Sequence, residues 1–290
     1  MSDPVSKTSG IWGPDARRAA VTVTFDNLGE AADLERGLWP EGEPLGHHFS
    51  VRQTVPRILS VLGKLELRAT FFVEGLNTEL YPEALSKIVD SGHELGYHGW
   101  RHEYWAGLSP SDEARLLERG VRQMDELGVR PRGFRPPGGR LNPSSLKLLE
   151  DLEFTHCSPA GRGIGISGSL VILPFEWPMI DAYYYLPRFG NLREATTGSS
   201  KTLTPSRFRG ALFSALESVV RDGRHLTLLF HPFLEEEADR FAVMRGVLEE
   251  LRDLSERGLV WCAPYQDVTS WVNEHPEQFG DAPQLDLTQT

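Results

Sequence analysis

Two histidines four residues apart, His98 and His102, stand in the run Gly96-Tyr97-His98-Gly99-Trp100-Arg101-His102, which is otherwise rich in glycine and aromatics. Neutral imidazole nitrogens suit divalent zinc, cobalt or nickel. On one helical turn such a pair shares a face, about 6 Å apart. An isolated pair at this spacing also serves as a packed or capping couple, so its setting decides. An apolar run before it, Val21-Thr22-Val23-Thr24-Phe25-Asp26-Asn27, ends in a carboxylate. Two runs after it are Phe134-Arg135-Pro136-Pro137-Gly138-Gly139 and Leu228-Leu229-Phe230-His231-Pro232. Each puts a polar, chemically useful residue at the end of a strand-like segment.

The elements that must position these residues alternate along the chain. Residues 19–25 are rich in β-branched side chains and lack glycine and proline, which predicts a buried strand. Further strands are expected at residues 69–73, 93–97, 132–135, 154–157, 170–173, 226–230 and 259–263. Helical apolar spacing with start and stop signals predicts helices over residues 51–62, 82–89, 110–127, 143–152, 205–220 and 240–254. Strand, loop and helix repeated over roughly 250 residues argue an α/β fold, a closed or distorted (β/α) barrel of seven or eight strands. In such a barrel the C-terminal ends of the strands converge on one mouth, which makes Asp26, His98, Arg135 and His231 neighbours. The connection over residues 28–48 reads as a site-forming loop, with His47 and His48 as surface or packing histidines. The glycine-spaced residues 161–168 read as a loop and, with no Lys-Ser/Thr following, not as a phosphate cradle. Residues 191–200 read as a polar, flexible surface loop.

Composition excludes some roles. Lys and Arg number 30 against 41 for Asp and Glu, and the formal charge of −11 argues against nucleic acid or an anionic membrane as partner. No stretch approaches the ~20 apolar residues of a membrane span, and no basic segment leads into an apolar one near Met1, so a cytoplasmic protein is expected. Cys157 and Cys262 lie in separate strand-like segments, and buried, reduced thiols are expected for both. The domain reading is a flexible leader at 1–18, a single catalytic domain at 19–274 and a flexible tail at 275–290. A homo-oligomer is compatible with all of this.

From about residue 20 to 272 the chain resembles the metal-dependent polysaccharide deacetylases of carbohydrate esterase family 4, the NodB homology domain. Thr24-Phe25-Asp26-Asn27 resembles the family's TFDD, His98 to His102 its HxxxH, and Arg135-Pro136-Pro137-Gly138-Gly139 its RPPxG. Trp177-Pro178-Met179-Ile180-Asp181 falls where the fourth motif supplies an aspartate, and Leu229-Phe230-His231-Pro232 resembles the fifth. The resemblance implies a NodB-type barrel and one divalent ion, zinc first with cobalt or nickel as alternatives, on His98 and His102. It implies Asp26 as general base, His231 as general acid, Arg135 orienting Asp26 and Asp181 supporting His231. Pro136, Gly138, Trp100 and Trp177 would then meet the substrate, with the Gly138 N–H near the developing oxyanion.

One departure stands out. Asn27 occupies the place of the family's second Asp, a metal ligand. An amide oxygen can coordinate but brings no charge. Either Asn27 is the third ligand, or Asp26 binds the ion and another group, such as Glu30, becomes the base. The implied activity is hydrolysis of a non-peptide C–N bond, foremost N-deacetylation of an acetylated amino sugar or related small molecule, the partner being a small molecule or an oligosaccharide. Segments around residues 46–73, 81–83 and 92–94 are most similar to the subgroup with allantoinase-like and cyclic-imide-hydrolysing members. Ring opening of an imide or ureide is therefore an alternative, and a non-catalytic carbohydrate-binding relative is another. Trp100, Trp105, Trp177 and Tyr183 to Tyr185 read equally as a sugar-stacking platform or a packed rim.

Overall fold

A computed structural model describes residues 11–279 and 283–286. Its strands in chain order are β1 (Ala19–Asp26), β2 (Thr70–Val73), β3 (Glu94–Tyr97), β4 (Gly133–Phe134), β5 (His156–Cys157), β6 (Gly161–Arg162), β7 (Gly165–Ser167), β8 (Leu170–Ile172), β9 (His225–Phe230), β10 (Val260–Cys262) and β11 (Gln284–Leu285). Every residue of β1 is buried, as expected of a parallel strand covered on both faces, which must read as a near-continuous apolar run. It is the hub of the sheet. β9 runs parallel to it from Ala20 to Phe25, while β10 and β2 share its other side, one at each end.

From β2 the sheet continues in parallel through β3, β4, β5 and β8, and β7 turns back antiparallel on β8. Single bridges carry the curl past β8: Ala160 pairs with Phe175, and Ile180 pairs with Leu229 of β9. The result is a curled, mostly parallel α/β barrel, distorted because β4 and β5 are only two residues long. Helices Val55–Lys64, Pro82–Asp90, Pro110–Glu126, Pro205–Asp222 and Ala238–Glu256 pack outside it. Proline opens four of these at the first turn, where its missing N–H costs nothing.

The structure departs from the sequence reading in three places. Residues 191–200 do not form a loop: Gly190–Thr197 is a helix, ended by Gly198 at φ +73°. Arg193, buried inside it, donates to the carbonyls of Tyr183, Leu186 and Ser200, a tertiary cause that local polarity does not reveal. The glycine-spaced residues 161–168 hold β6 and β7, with Gly168 at φ +59° in the turn to β8. The domain boundaries also move outward. Residues 1–10 lie outside the described residues, but Trp12 is buried and its Nε1 donates to the Gly223 carbonyl at 2.9 Å. On the other side, Phe279 packs against Trp12 and β11 pairs with β6.

Cys157 and Cys262 are free, and burial pushes both thiols up, Cys262 to about 12, as befits unreactive packing residues. No described helix is long and apolar enough to cross a membrane. Burial pushes His93 down to about 4 and His225 to about 3. Both are neutral acceptors or donors in the fold: the Ala69 N–H donates to His93 Nδ1 at 3.2 Å, and His225 Nε2 meets the Thr22 hydroxyl at 3.0 Å. Unfolding returns each to about 6.5, so the unfolded chain binds more protons below that value. Their contribution to stability is full above pH ~6.5 and is lost as the pH falls toward the folded-state values. The urea midpoint should drop between pH ~6.5 and ~4, and His225→Gln should flatten that drop; an equally steep fall in the variant would contradict this origin.

Candidate active site

β1 delivers Asp26 to the barrel mouth, and the chain turns there at Asn27, whose φ of +58° asparagine tolerates better than most residues. Arg135 follows β4 and is 1 % exposed. Its guanidinium donates to Asp26 Oδ1 at 2.7 Å, Thr24 Oγ1 at 2.9 Å, Ser158 Oγ at 3.0 and 3.2 Å, and the Tyr265 hydroxyl at 3.3 Å. It lies over the Phe72 ring, 4.3 Å from the centroid. A buried guanidinium needs a full set of acceptors, and this one has them. Sequence reasoning missed Tyr265, which also bonds Thr227, Ser158 and the Leu173 carbonyl.

His98 follows β3. Its Nδ1 lies 2.7 Å from the Arg135 carbonyl, which assigns the proton to Nδ1 and leaves Nε2 bare, 3.8 Å from Asp26 Oδ2. The His98 to His102 segment is not a helical turn: the pair sits on a chain reversal after β3. Gly99 at φ +76° and His102 at φ +66° reverse the chain, and the Glu103 carboxylate accepts from the Trp100 and Arg101 N–H groups at 2.9 and 3.0 Å. A Cβ at Gly99 would stand 2.8 Å from Glu103 Oε2, so glycine is required there. The two rings meet nearly edge to face, their centroids 5.0 Å apart. Burial, partly opposed by Asp26, pushes His98 down to about 4. Burial, then the charges of His98, Arg36 and Arg188, put His102 well below the usual range. Both imidazoles are neutral at physiological pH, the form that ligates metals.

Asn27 Oδ1 is buried with no hydrogen-bond partner. Two neutral imidazoles and an orphaned amide oxygen fit one divalent ion of the zinc, cobalt or nickel type. The set is uncharged unless Asp26 Oδ2 also turns to it. Arg36 opposes it, since its guanidinium lies 3.2 Å from His102 Nδ1.

Asp181 approaches His231 from the opposite wall. Its Oδ1 lies 2.5 Å from His231 Nδ1, and Oδ2 accepts the His231 N–H at 2.6 Å. Glu235, missed in the sequence, is buried against this aspartate, and burial followed by the Asp181 charge raises its carboxyl well above the usual range. Its neutral form is thereby favoured.

A cavity of about 410 Å³ unites the site: Asp26, Asn27, His98, His102, Arg135, Pro136, Gly138, Trp177 and His231 all line it. Asp181, fully buried, stands behind His231. Trp100 does not reach the cavity. Its ring is buried beside Gly75, with the Arg119 guanidinium 3.4 Å above it, because the Gly99 turn carries it away from the mouth. Trp105 and Tyr183 to Tyr185 are likewise buried. Glu30 is also displaced, fully buried and bonded to the Gly46 N–H and the Tyr81 hydroxyl. His48, bonded to Ser50, is a packing histidine. Arg36, Tyr104, Arg188 and Phe189 line the cavity without having been expected, and only Arg36 carried a sequence signal, its place in the long connection.

Two outcomes follow from this geometry. Arg135→Met leaves Asp26 buried without its cation and should lower the unfolding free energy in urea by about 3–5 kcal/mol; a loss below ~1 kcal/mol would mean that Asp26 does not depend on the pair. Asn27→Asp adds an anionic donor in a backbone conformation aspartate also accepts, and should tighten zinc binding measured by calorimetry about tenfold or more, whereas His98→Ala should weaken it. Equal affinity in all three proteins would remove Asn27 and His98 from the ligand set.

Residues 14–157 match the family model for polysaccharide deacetylase, a span that includes Asp26 through Arg135 and stops before Asp181. Chitin deacetylase 1 of Saccharomyces cerevisiae is 38 % identical over 113 residues, 37 % of this chain and 38 % of the relative. The chain spans between a third and two fifths of the length of the first curated relatives it matches. A crystal structure from Mycobacterium smegmatis, described as a polysaccharide deacetylase, superposes with a TM-score of 0.80 at 26 % identity over 97 % of this chain and 98 % of that one. PuuE allantoinase shares the fold alone, with a TM-score of 0.72 and 19 % identity over 91 % of this chain and 93 % of that one. Residues 14–157 form a polysaccharide deacetylase domain by this match, and the chain as a whole shares the fold of the Mycobacterium smegmatis structure.

Proposed function

We propose that this protein is a divalent-metal-dependent hydrolase that removes an acetyl group from the nitrogen of an amino sugar or a related small molecule. One observation carries the reading: Asp26 and His231 face a single cavity, each gripped by a partner of the charge its role requires. Arg135 holds Asp26 by Oδ1 and leaves Oδ2 to take a proton from an attacking water. Asp181 fixes the Nδ1 proton of His231, so that Nε2 can carry a second proton to the leaving nitrogen. Water oxygen bonds to the acyl carbon, the C–N bond breaks, and the acid and the amine leave. His98, His102 and Asn27 would hold the ion, which when bound polarises the acyl oxygen and lowers the pKa of water. Gly138, at φ +74° on the cavity wall, lets the backbone approach the acyl group closely.

A second reading is ring opening of a cyclic imide or ureide. The compact cavity suits a small ring, and the allantoinase likeness in fold spans most of the chain. Zinc-loaded protein should release acetate from N-acetylglucosamine oligomers or monomeric N-acetyl compounds, and a chelator should abolish it. His231→Asn should lower kcat by about 10²–10⁴-fold. Turnover of hydantoins or imides without acetate release would transfer the assignment to the second reading. No turnover of either class by the loaded protein would leave a carbohydrate-binding role.

A further inference from the structure

The cavity holds two cations that the hydrolytic scheme does not use. Arg36 and Arg188 both line it, reaching in from the 28–48 connection and from the segment after helix Asp181–Tyr185. Among the described residues neither guanidinium has a carboxylate within 4 Å. Arg36 has one bond, to His102 Nδ1, and Arg188 has only the face of the Phe189 ring, 5.2 Å away. The acids that could neutralise them are engaged or distant. Glu35 pairs with Arg101 at 3.5 Å, Glu103 caps the turn N–H groups, and Asp181 is committed to His231. Asp33 attracts both arginines without reaching either.

Two guanidinium groups held near each other in one cavity repel. Both side chains are exposed at the rim, so solvent screens part of that repulsion. An anion entering between the two would remove the rest and gain hydrogen bonds from both. Arginine forks match the paired oxygens of carboxylate or phosphate. The overall charge of −11 makes the local sign more telling, since the surrounding protein would attract no anion to this place by itself.

We infer that the substrate carries an anionic oxygen group, a carboxylate or a phosphate, which Arg36 and Arg188 bind together at the cavity mouth while Asp26 and His231 face the scissile amide. The inference rests on the hydrolase reading above for where the amide sits. It divides the cavity into a reacting end and a recognising end, and it separates this chain's substrates from uncharged amides that could enter the same space. Because Arg36 also touches His102, drawing it to an anion would free the Nδ1 face of that imidazole.

Calorimetry on the full chain tests the site without turnover, using four probes: N-acetylglucosamine, N-acetylglucosamine 6-phosphate, N-acetylmuramic acid and the methyl ester of that acid. At least one charged probe should bind about tenfold or more tightly than its uncharged counterpart, the size expected of charge-assisted hydrogen bonds. The charged member that gains identifies phosphate or carboxylate as the group. In Arg36→Gln/Arg188→Gln the charged-to-uncharged ratio should collapse toward one, and added salt should erode it in the unaltered protein. Equal affinity within both pairs, or no measurable binding of either charged probe, overturns the inference even if the variant fails to fold. Acetate measured in the same samples separates the two ideas. A charged-probe advantage with no acetate from any probe keeps the anion site and removes the deacetylase reading; acetate release with equal affinities does the reverse.

Discussion

The buried Asp26–Arg135 ion pair is the constraint that the rest of the barrel accommodates. An unpaired charge in a barrel interior is costly, and even a paired one demands that every remaining donor be met. Here the acceptors come from three distant stretches: Thr24 and Asp26 on β1, Ser158 after β5 and Tyr265 after β10. The Phe72 and Phe175 rings supply further stabilisation. Fixing that one guanidinium therefore fixes β1, β2, β4 and β5 relative to one another. Because the Arg135 carbonyl also accepts from His98 Nδ1, the same residue sets the tautomer of a candidate ligand.

Across the cavity the logic is inverted. Asp26 has a cation behind it and His231 has an anion behind it, so the two groups that would exchange protons with the substrate are held by partners of opposite charge. Glu235 adds a neutral carboxyl behind Asp181, which limits how much negative charge accumulates there. Between these poles lie imidazoles kept neutral by burial, and at the rim two unpaired guanidinium groups. The Asp26–Arg135 pair cancels and the neutral histidines add no charge, while Arg36 and Arg188 stand at the rim with no carboxylate within ion-pair distance among the described residues.

The barrel was legible because each parallel strand must be apolar on both faces and each ends at the mouth, so period and composition alone place Asp26, His98, Arg135 and His231 together. What sequence spacing did not reveal depends on side chains acting at long range. Arg193 makes a helix of a polar stretch, Gly99 turns Trp100 away from the cavity, and Tyr265 reaches Arg135 across 130 positions of chain. Glu235, Arg36 and Arg188 carry no motif, and only the folded cavity identifies them. The five short motifs converge on one cavity, while its other lining residues lie between them in the chain.

The turn at His98 to His102 alters what that spacing means. On a helix the rings would stack along one face with parallel approach. On the observed turn they stand nearly perpendicular, and their shared pocket opens toward Asn27 and Asp26 at the end of β1. Asn27 occupies a left-handed conformation that aspartate also tolerates, so the backbone does not dictate the amide. The difference between the two side chains is charge. With an aspartate there, two carboxylates would crowd the end of β1 beside the buried Glu74, whose carboxyl burial already pushes well above its usual range. An amide relieves that crowding, leaves its oxygen without a partner among the described residues, and adds no negative charge to the cavity that Arg36 and Arg188 line. Metal affinity and anion recognition are thus set against each other at one position: charge added at Asn27 to strengthen the first would weaken the second.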